Sequence, residues 1–309
     1  MNASILIVTR NRAADLAQTL QAMRNVVIPD SFKAELLVID NGSTDRTREV
    51  VENCDMGGLP LRYIHEPRVG QTVGRNTGMA ESTGEVILFT DDDVRPPAGW
   101  VIDMCEPIFQ GKADAVCGGV RLAPHLIRPW MTHLHRSWLA SSEWLTRGAP
   151  ESLVGANMAF SRKVLERVPG FDPELGPGAA GFFDDTLFAS QLQVAGYRIH
   201  DGMDVSIEHH FEPSRMNRES WLNAAKRRGE SQAYVGHHWK HWGLKLGGLR
   251  VWQAAWKLAA WRRGNPNLIA GDGCDEEELR LVLAHSLLNW RLKEKGCPRK
   301  YELNGLVKL

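Results

Sequence analysis

The chain has 309 residues, and its 37 Lys+Arg balance 37 Asp+Glu, so the formal net charge is zero. A neutral chain has no global field to draw it to nucleic acid, and none is expected among its partners. With 43% hydrophobic and 24% charged residues it is an ordinary globular composition, long enough to bury a sizeable core in one large domain or two.

Five cysteines (Cys54, Cys105, Cys117, Cys274, Cys297) are scattered without a CxxC pair, which points to reduced thiols and a cytoplasmic compartment. The opening MNASILIVTRNR holds a short apolar run without a small-residue cleavage site and reads as a first strand, not a signal peptide. No apolar stretch reaches the ~18 residues that a bilayer crossing needs. The expectation is a soluble chain, attached at most to the inner face of a membrane.

In chain order, Ile5 to Val8 is a continuous apolar run, as expected for a parallel strand covered on both faces. Leu16, Leu20 and Met23 then recur at helical spacing. Leu36 to Ile39 is a second buried strand, and DNGSTDRTREVVE turns through Asn41-Gly42 into a helix that Ser43 or Thr44 can cap. Leu61 to Ile64 is a third strand, QTVGRNTGMAES a helix, and Val86 to Thr90 a fourth strand. This alternation predicts an α/β fold with an open, mostly parallel, Rossmann-like sheet flanked by helices. Ligands in such sheets sit beyond the carboxyl ends of the strands. Thr9-Arg10-Asn11, Asp40 and Asp91 to Asp93 all follow strands directly, so all are expected on one edge.

Past Ala123 the texture changes, with Trp130, Trp138 and Trp144 among His and Arg. LVGANMAFSRKVLERVPGFDPELG reads as a strand, a helix and a Gly/Pro-rich loop. FFDDTLFASQLQVAGYRI follows as a helix that buries Phe188, Leu192 and Ala195 and is closed by Gly196; VSIEHHFEP then ends a strand. Beyond His237 the chain looks helical. The expected division is 1–235, made of a donor half 1–122 and an acceptor half 123–235, followed by a helical, Trp-rich basic segment 236–309.

Three consecutive carboxylates at a strand end repel one another, and a cation is the obvious neutraliser; a solvated acidic turn is the alternative. Magnesium and manganese prefer oxygen ligands, commonly one or two carboxylates plus substrate phosphates. Alternate residues of a strand point the same way, so Asp91 and Asp93 share a side. Asp40 can serve its own turn or accept a hydrogen bond from a base edge. Asp184 and Asp185 open a helix, where carboxylates are favoured by the free N–H groups; alternatively one of them is a general base. His209 and His210 end a strand, where one could ligate the metal or be merely structural.

Taken in this order, ILIVTRNR, LLVIDNGSTDRT, VGQTVGRNTGMAESTGEVILFTDDDVRPPAGWV, GANMAFSRKVL, VPGFDPELG and FFDDTLFASQLQVAGYRI resemble the family 2 glycosyltransferases of the GT-A fold, across residues 4 to about 230. The resemblance implies inverting transfer of a sugar from a nucleoside-diphosphate sugar, a UDP-sugar first among them, to a hydroxyl on a glycan or lipid-linked acceptor, assisted by Mn²⁺ or Mg²⁺. It makes Asp40 the acid that reads the base, with Thr9, Arg10 and Asn11 in the same pocket and Arg75-Asn76 at a nucleotide-contacting position. Asp91 and Asp92 then border the nucleotide sugar, Asp93 with Asp91 holds the metal, and His209 joins them because HHFEPSR resembles H-x-V-x-P-x-R. Asp185 is the implied base. Asp184 stands where the family has Glu, which leaves open which of the two acids acts.

Residues 236–263 contain no Asp or Glu but six Lys/Arg (240, 245, 250, 257, 262, 263) and five tryptophans. Such a helix can lie in an anionic membrane interface, or pack its tryptophans against the catalytic domain. The final helix, 276–295, is expected to turn Leu279, Val282, Leu283 and Trp290 inward. Two other functional classes use the same acids: a metal-dependent nucleotidyltransferase or phosphohydrolase, and a non-catalytic nucleotide-sugar-binding protein.

Overall fold

A computed structural model describes residues 1–143, 145, 148, 152–243, 247–269 and 273–309; Trp144 and Lys245 lie outside them. The strands are β1 (Asn2–Thr9), β2 (Lys33–Asp40), β3 (Leu61–His65), β4 (Val86–Thr90), β5 (Val94–Arg95), β6 (Ala115–Leu122), β7 (Asn157–Ser161) and β8 (Ile199–His209). The helices are α1 (Ala13–Met23), α2 (Thr47–Glu52), α3 (Gln71–Glu81), α4 (Trp100–Phe109), α5 (His133–Trp138), α6 (Asp184–Val194), α7 (Arg218–Tyr234), α8 (Gly247–Gly264), α9 (Pro266–Ile269) and α10 (Glu276–Glu294).

The strands form one sheet in the order β3-β2-β1-β4-β7-β6-β8-β5. The half β3-β2-β1-β4 is parallel throughout. Strand β7 runs antiparallel between β4 and β6, β8 returns parallel to β6, and short β5 closes the edge antiparallel to β8. Leu6, Ile7, Leu37, Val38, Leu88 and Phe89 are buried because helices cover both faces of this half. Helix α3 lies against β1 and β2 at close range. A Cβ on Gly74 would stand 2.6 Å from the Val8 side chain, so only glycine permits that approach.

Register places the functional edge. Thr9 pairs with Asp40, and Ile7 pairs with Thr90, so the residues that follow β1, β2 and β4 emerge side by side. In α6, Phe188, Leu192 and Ala195 are buried as expected, and Gly196 closes the helix at φ +83.

The expected cap of α2 is replaced. Asp45 accepts from the Thr47 amide at 3.1 Å and also from the Ala13 amide of α1 at 3.0 Å. Ser43 and Thr44 are instead drawn to the neighbouring loop by Asn11.

No linker separates residue 235 from what precedes it: α7 runs into a π-helical turn, Val235–Trp239. The basic segment 236–263 divides in two. Trp239 is buried, and its indole donates to the Gly305 carbonyl at 2.8 Å. His237 and His238 are buried beside it, whereas Trp252 and Trp256 of α8 face solvent. In α10, Leu279 and Val282 are buried; Trp290 is only half-buried, with the Lys293 ammonium over its ring. Among the described residues no helix is long and apolar enough to cross a membrane.

Candidate active site

A cleft of about 590 Å³ opens at the carboxyl edge of β1 and β4. The sheet supplies Thr9, Arg10, Asn41 and Asp91 to Asp93 to it. Gly178 and Phe182 come from the Gly-rich loop before α6, Trp138 from α5, and Arg215, Trp221 and Arg227 from the segment after β8.

The three aspartates are held in three ways. Asp92 is buried: the Thr9 hydroxyl donates to its Oδ2 at 2.7 Å, and Arg12 pairs with its Oδ1 at 2.8 Å. Burial pushes its pKa up despite Arg12. Asp93 is also buried, with Arg12 at 2.7 Å from Oδ2. Burial would raise this carboxyl too, but His209, when both its ring nitrogens carry protons, and Arg12 outweigh it and hold Asp93 well below the usual carboxylate range. Asp91 makes no such pair among the described residues; burial and the Asp93 charge push it up.

Asp91, Asp93 and His209 each present one ligand atom, all within 4.8 Å of one another. The histidine supplies a test of whether they suit a cation. Its Nδ1 lies 2.8 Å from the Leu139 carbonyl, which can only accept, so Nδ1 carries the hydrogen. Where Nε2 carries no proton, its lone pair faces Asp93 Oδ1 at 3.2 Å. That oxygen is buried and lacks a hydrogen-bond donor among the described residues. Two acceptors that face each other need a proton or a cation between them, and a backbone carbonyl behind the second nitrogen is the usual support of a metal-binding histidine. The donor set fits a divalent ion.

Other residues named from the sequence are tied to their neighbours by hydrogen bonds or ion pairs. Both carboxylate oxygens of Asp40 are engaged, by the Ser43 amide at 2.8 Å and the Tyr63 hydroxyl at 2.7 Å. Asn11, at φ +53, ties the end of β1 to the loop after β2. Asn76 exchanges two hydrogen bonds with the backbone of Phe171. Arg75 is buried and pairs with Asp184, its guanidinium packed over Phe89 and Phe171. His210 pairs with Glu208 at 2.6 Å. Arg10, by contrast, is exposed on the cleft wall with no side-chain partner among the described residues.

The two acids of α6 differ. Asp184 is buried, and burial raises its pKa against the pull of Arg75. Asp185 is half-buried and, among the described residues, accepts from neutral donors, the Gly155 amide at 2.9 Å and the Thr186 amide at 2.7 Å.

Sequence reasoning missed Arg12, which spans Asp92 and Asp93, and Asn41, which lines the cleft. Asn41 holds the loop before α3 by accepting from the Gly70 amide at 2.7 Å and donating to the Arg68 carbonyl at 2.7 Å. The second arginine of TRNR was the available signal for Arg12. Nothing local marks Asn41 beyond its turn.

Residues 4–168 match the model of the family described as glycosyl transferase family 2. The succinoglycan biosynthesis protein ExoM of Rhizobium meliloti is 28% identical over 255 residues, which is 80% of this chain and 77% of that protein. The probable glycosyltransferase YdaM of Bacillus subtilis is 26% identical over 207 residues; the match takes in 63% of this chain but only 47% of that longer relative. Among solved structures, the mannosyltransferase PcManGT from Pyrobaculum calidifontis, in complex with GDP-Man and Mn²⁺, superposes with a TM-score of 0.61 at 19% identity, covering 94% of this chain and 86% of the other. That likeness establishes the expected GT-A architecture. With the family model covering more than half of its length, the chain belongs to glycosyl transferase family 2.

Proposed function

We propose that the protein transfers a sugar, with inversion, from a nucleoside-diphosphate sugar to a hydroxyl group of a glycan or lipid-linked acceptor. The observation that carries this reading is the convergence of Asp91, Asp93 and His209 at the carboxyl edge of the parallel strands, inside a cleft that also presents Arg10, Arg12 and Arg215. Acids beside an imidazole nitrogen suit a divalent cation, Mn²⁺ or Mg²⁺, and the arginines suit a diphosphate. A cation bound by Asp91, Asp93 and His209 would neutralise charge on the departing diphosphate.

The chain's own residues account for the rest. Arg10 and Arg215, both lining the cleft, meet the donor's phosphates, and Thr9 with Arg12 keeps Asp92 and Asp93 in place. Asp40, Arg75 and Asn76 stiffen the donor half from behind. Asp185 takes the acceptor's hydroxyl proton as the acceptor oxygen bonds to the anomeric carbon. The bond from that carbon to the diphosphate oxygen breaks in the same step, and its electron pair leaves with the diphosphate. Asp185 suits this role because among the described residues it accepts hydrogen bonds from neutral donors, whereas Asp184 is committed to Arg75. Direct displacement requires no enzyme nucleophile, and in-line positioning supplies much of the acceleration. The reading places the enzyme on the cytoplasmic side, with a membrane surface as a partner through part of 236–263.

Calorimetric titration with UDP, GDP and TDP, each with and without Mn²⁺, tests this on the wild type and Asp93→Ala. One nucleotide should bind tightly, and only when both Mn²⁺ and Asp93 are present. If no nucleotide binds in any condition, the reading fails.

A further inference from the structure

We propose that helix α8 docks this protein on an anionic lipid bilayer through a face made of Leu249, Trp252 and Trp256. This narrows the membrane partner of the functional reading to one helix face and one lipid chemistry. Steps of three and four residues place the three side chains on one side of the helix. They are 53%, 64% and 59% exposed, and exposed Ala259 continues the stripe. The opposite side is already partnered: Ala254 is buried and Leu258 packs into the cluster that contains Val282 of α10. Packing against the catalytic domain therefore explains the inner side of α8 and Trp239, and leaves Trp252 and Trp256 without a partner among the described residues.

Charge selects the occupant. Arg250, Lys257 and Arg263 are exposed beside the stripe and make no ion pair among the described residues. Arg262 is the exception, bound to Glu278 at 2.8 Å. No acidic residue occurs from 236 to 263, so nothing on the helix offsets these cations. A second copy meeting this face symmetrically would set the cations of one copy against those of the other. A bilayer bearing anionic headgroups complements both features. Tryptophan rings settle at the headgroup level, and the flanking cations gain from the negative surface potential.

Flotation of the full chain with phosphatidylcholine vesicles, with and without phosphatidylglycerol, tests the proposal at low and high ionic strength. The wild type should float with the anionic vesicles at low salt and be released by high salt. Trp252→Ser/Trp256→Ser should partition at least about tenfold more weakly, and Arg250→Ser/Lys257→Ser about 30-fold more weakly on anionic vesicles only. A wild type that stays down with anionic vesicles at low salt overturns the proposal, as do tryptophan variants that float unchanged. A dimer in sedimentation velocity that dissociates in Trp252→Ser/Trp256→Ser would assign the face to a second copy and also overturn it. Nucleotide titration of the same proteins separates this outcome from the fate of the transferase reading, because α8 contributes nothing to the cleft.

Discussion

His209 Nε2 stands 3.2 Å from Asp93 Oδ1, while Nδ1 of the same ring is fixed by the Leu139 carbonyl at 2.8 Å. The last residue of β8 thus delivers a nitrogen to an acid that follows β4, across a sheet in which those strands are not neighbours. The pairing leaves a buried carboxylate oxygen with no hydrogen-bond donor among the described residues, and most of what can be tested about the site begins there.

Asp93→Asn should lower Mn²⁺-dependent nucleotide affinity by at least about 100-fold, because losing a ligand should match or exceed the 10–100-fold cost of losing a ligand's supporting partner. His209→Ala should act in the same direction. Titration calorimetry with and without Mn²⁺ is the check; equal affinity in the two conditions for the wild type would remove the metal from the site.

Asp184 and Asp185 should separate cleanly when each is changed to Asn. Asp184→Asn leaves the buried Arg75 without its counter-charge and should destabilise the fold by about 3–5 kcal/mol in urea unfolding. Asp185→Asn should unfold like the wild type and still bind donor, yet lose on the order of 10²–10⁴ in transfer rate. Unchanged transfer by Asp185→Asn would strike out the base assignment.

Glu66 clamps the loop before α3, accepting from Arg68 at 2.7 Å and from the Thr77 hydroxyl at 2.5 Å. The Arg68 hydrogen bonds lead in holding its pKa down to about 2, from 4.5. Since the folded value is the lower one, ionised Glu66 stabilises the fold above about pH 4.5, and this is lost as the pH falls from 4.5 toward 2. Arg68 is largely in solvent, so the contribution is on the order of 1–2 kcal/mol rather than the full linkage value. Denaturant unfolding against pH should show the wild type falling more steeply over that window than Glu66→Gln. Parallel curves would refute the assignment.

The last residues of the chain lock the loop that forms one wall of the cleft. Buried Asp172 accepts from the hydroxyls of Tyr234 at 2.7 Å and Tyr301 at 2.8 Å, and Lys308 reaches its other oxygen at 2.7 Å. Lys300 and Lys308 also hold Glu174, two residues before Gly176. Tyr301→Phe should cost about 1–2 kcal/mol and weaken donor binding several-fold, since Gly178 and Phe182 follow on that loop. Donor affinity equal to that of the wild type would show the tail to be a stabilising element alone.

Much of this protein is legible in its sequence for one reason: parallel strands covered on both faces read as unbroken apolar runs. Ile5 to Val8, Leu36 to Ile39 and Val86 to Thr90 could be placed as strands of one mostly parallel sheet, and the polar residues that end them assigned to one ligand-facing edge. The motif order added the family. Partnerships between distant side chains were not legible. Arg75 and Asp184 are 109 residues apart, and Arg12 and Asp93 are 81 apart. No local pattern says that the first pair is buried and that the second bridges two acids. The same holds for the tryptophans. Composition marks 236–263 as basic and acid-free throughout, yet Trp239 is buried and Trp252 is 64% exposed. Sequence determines which groups are available and on which edge of the sheet they emerge. Which of them meet, and which stay free for a ligand or a membrane, depends on how helices such as α7, α8 and α10 pack, and that is decided by long-range contacts.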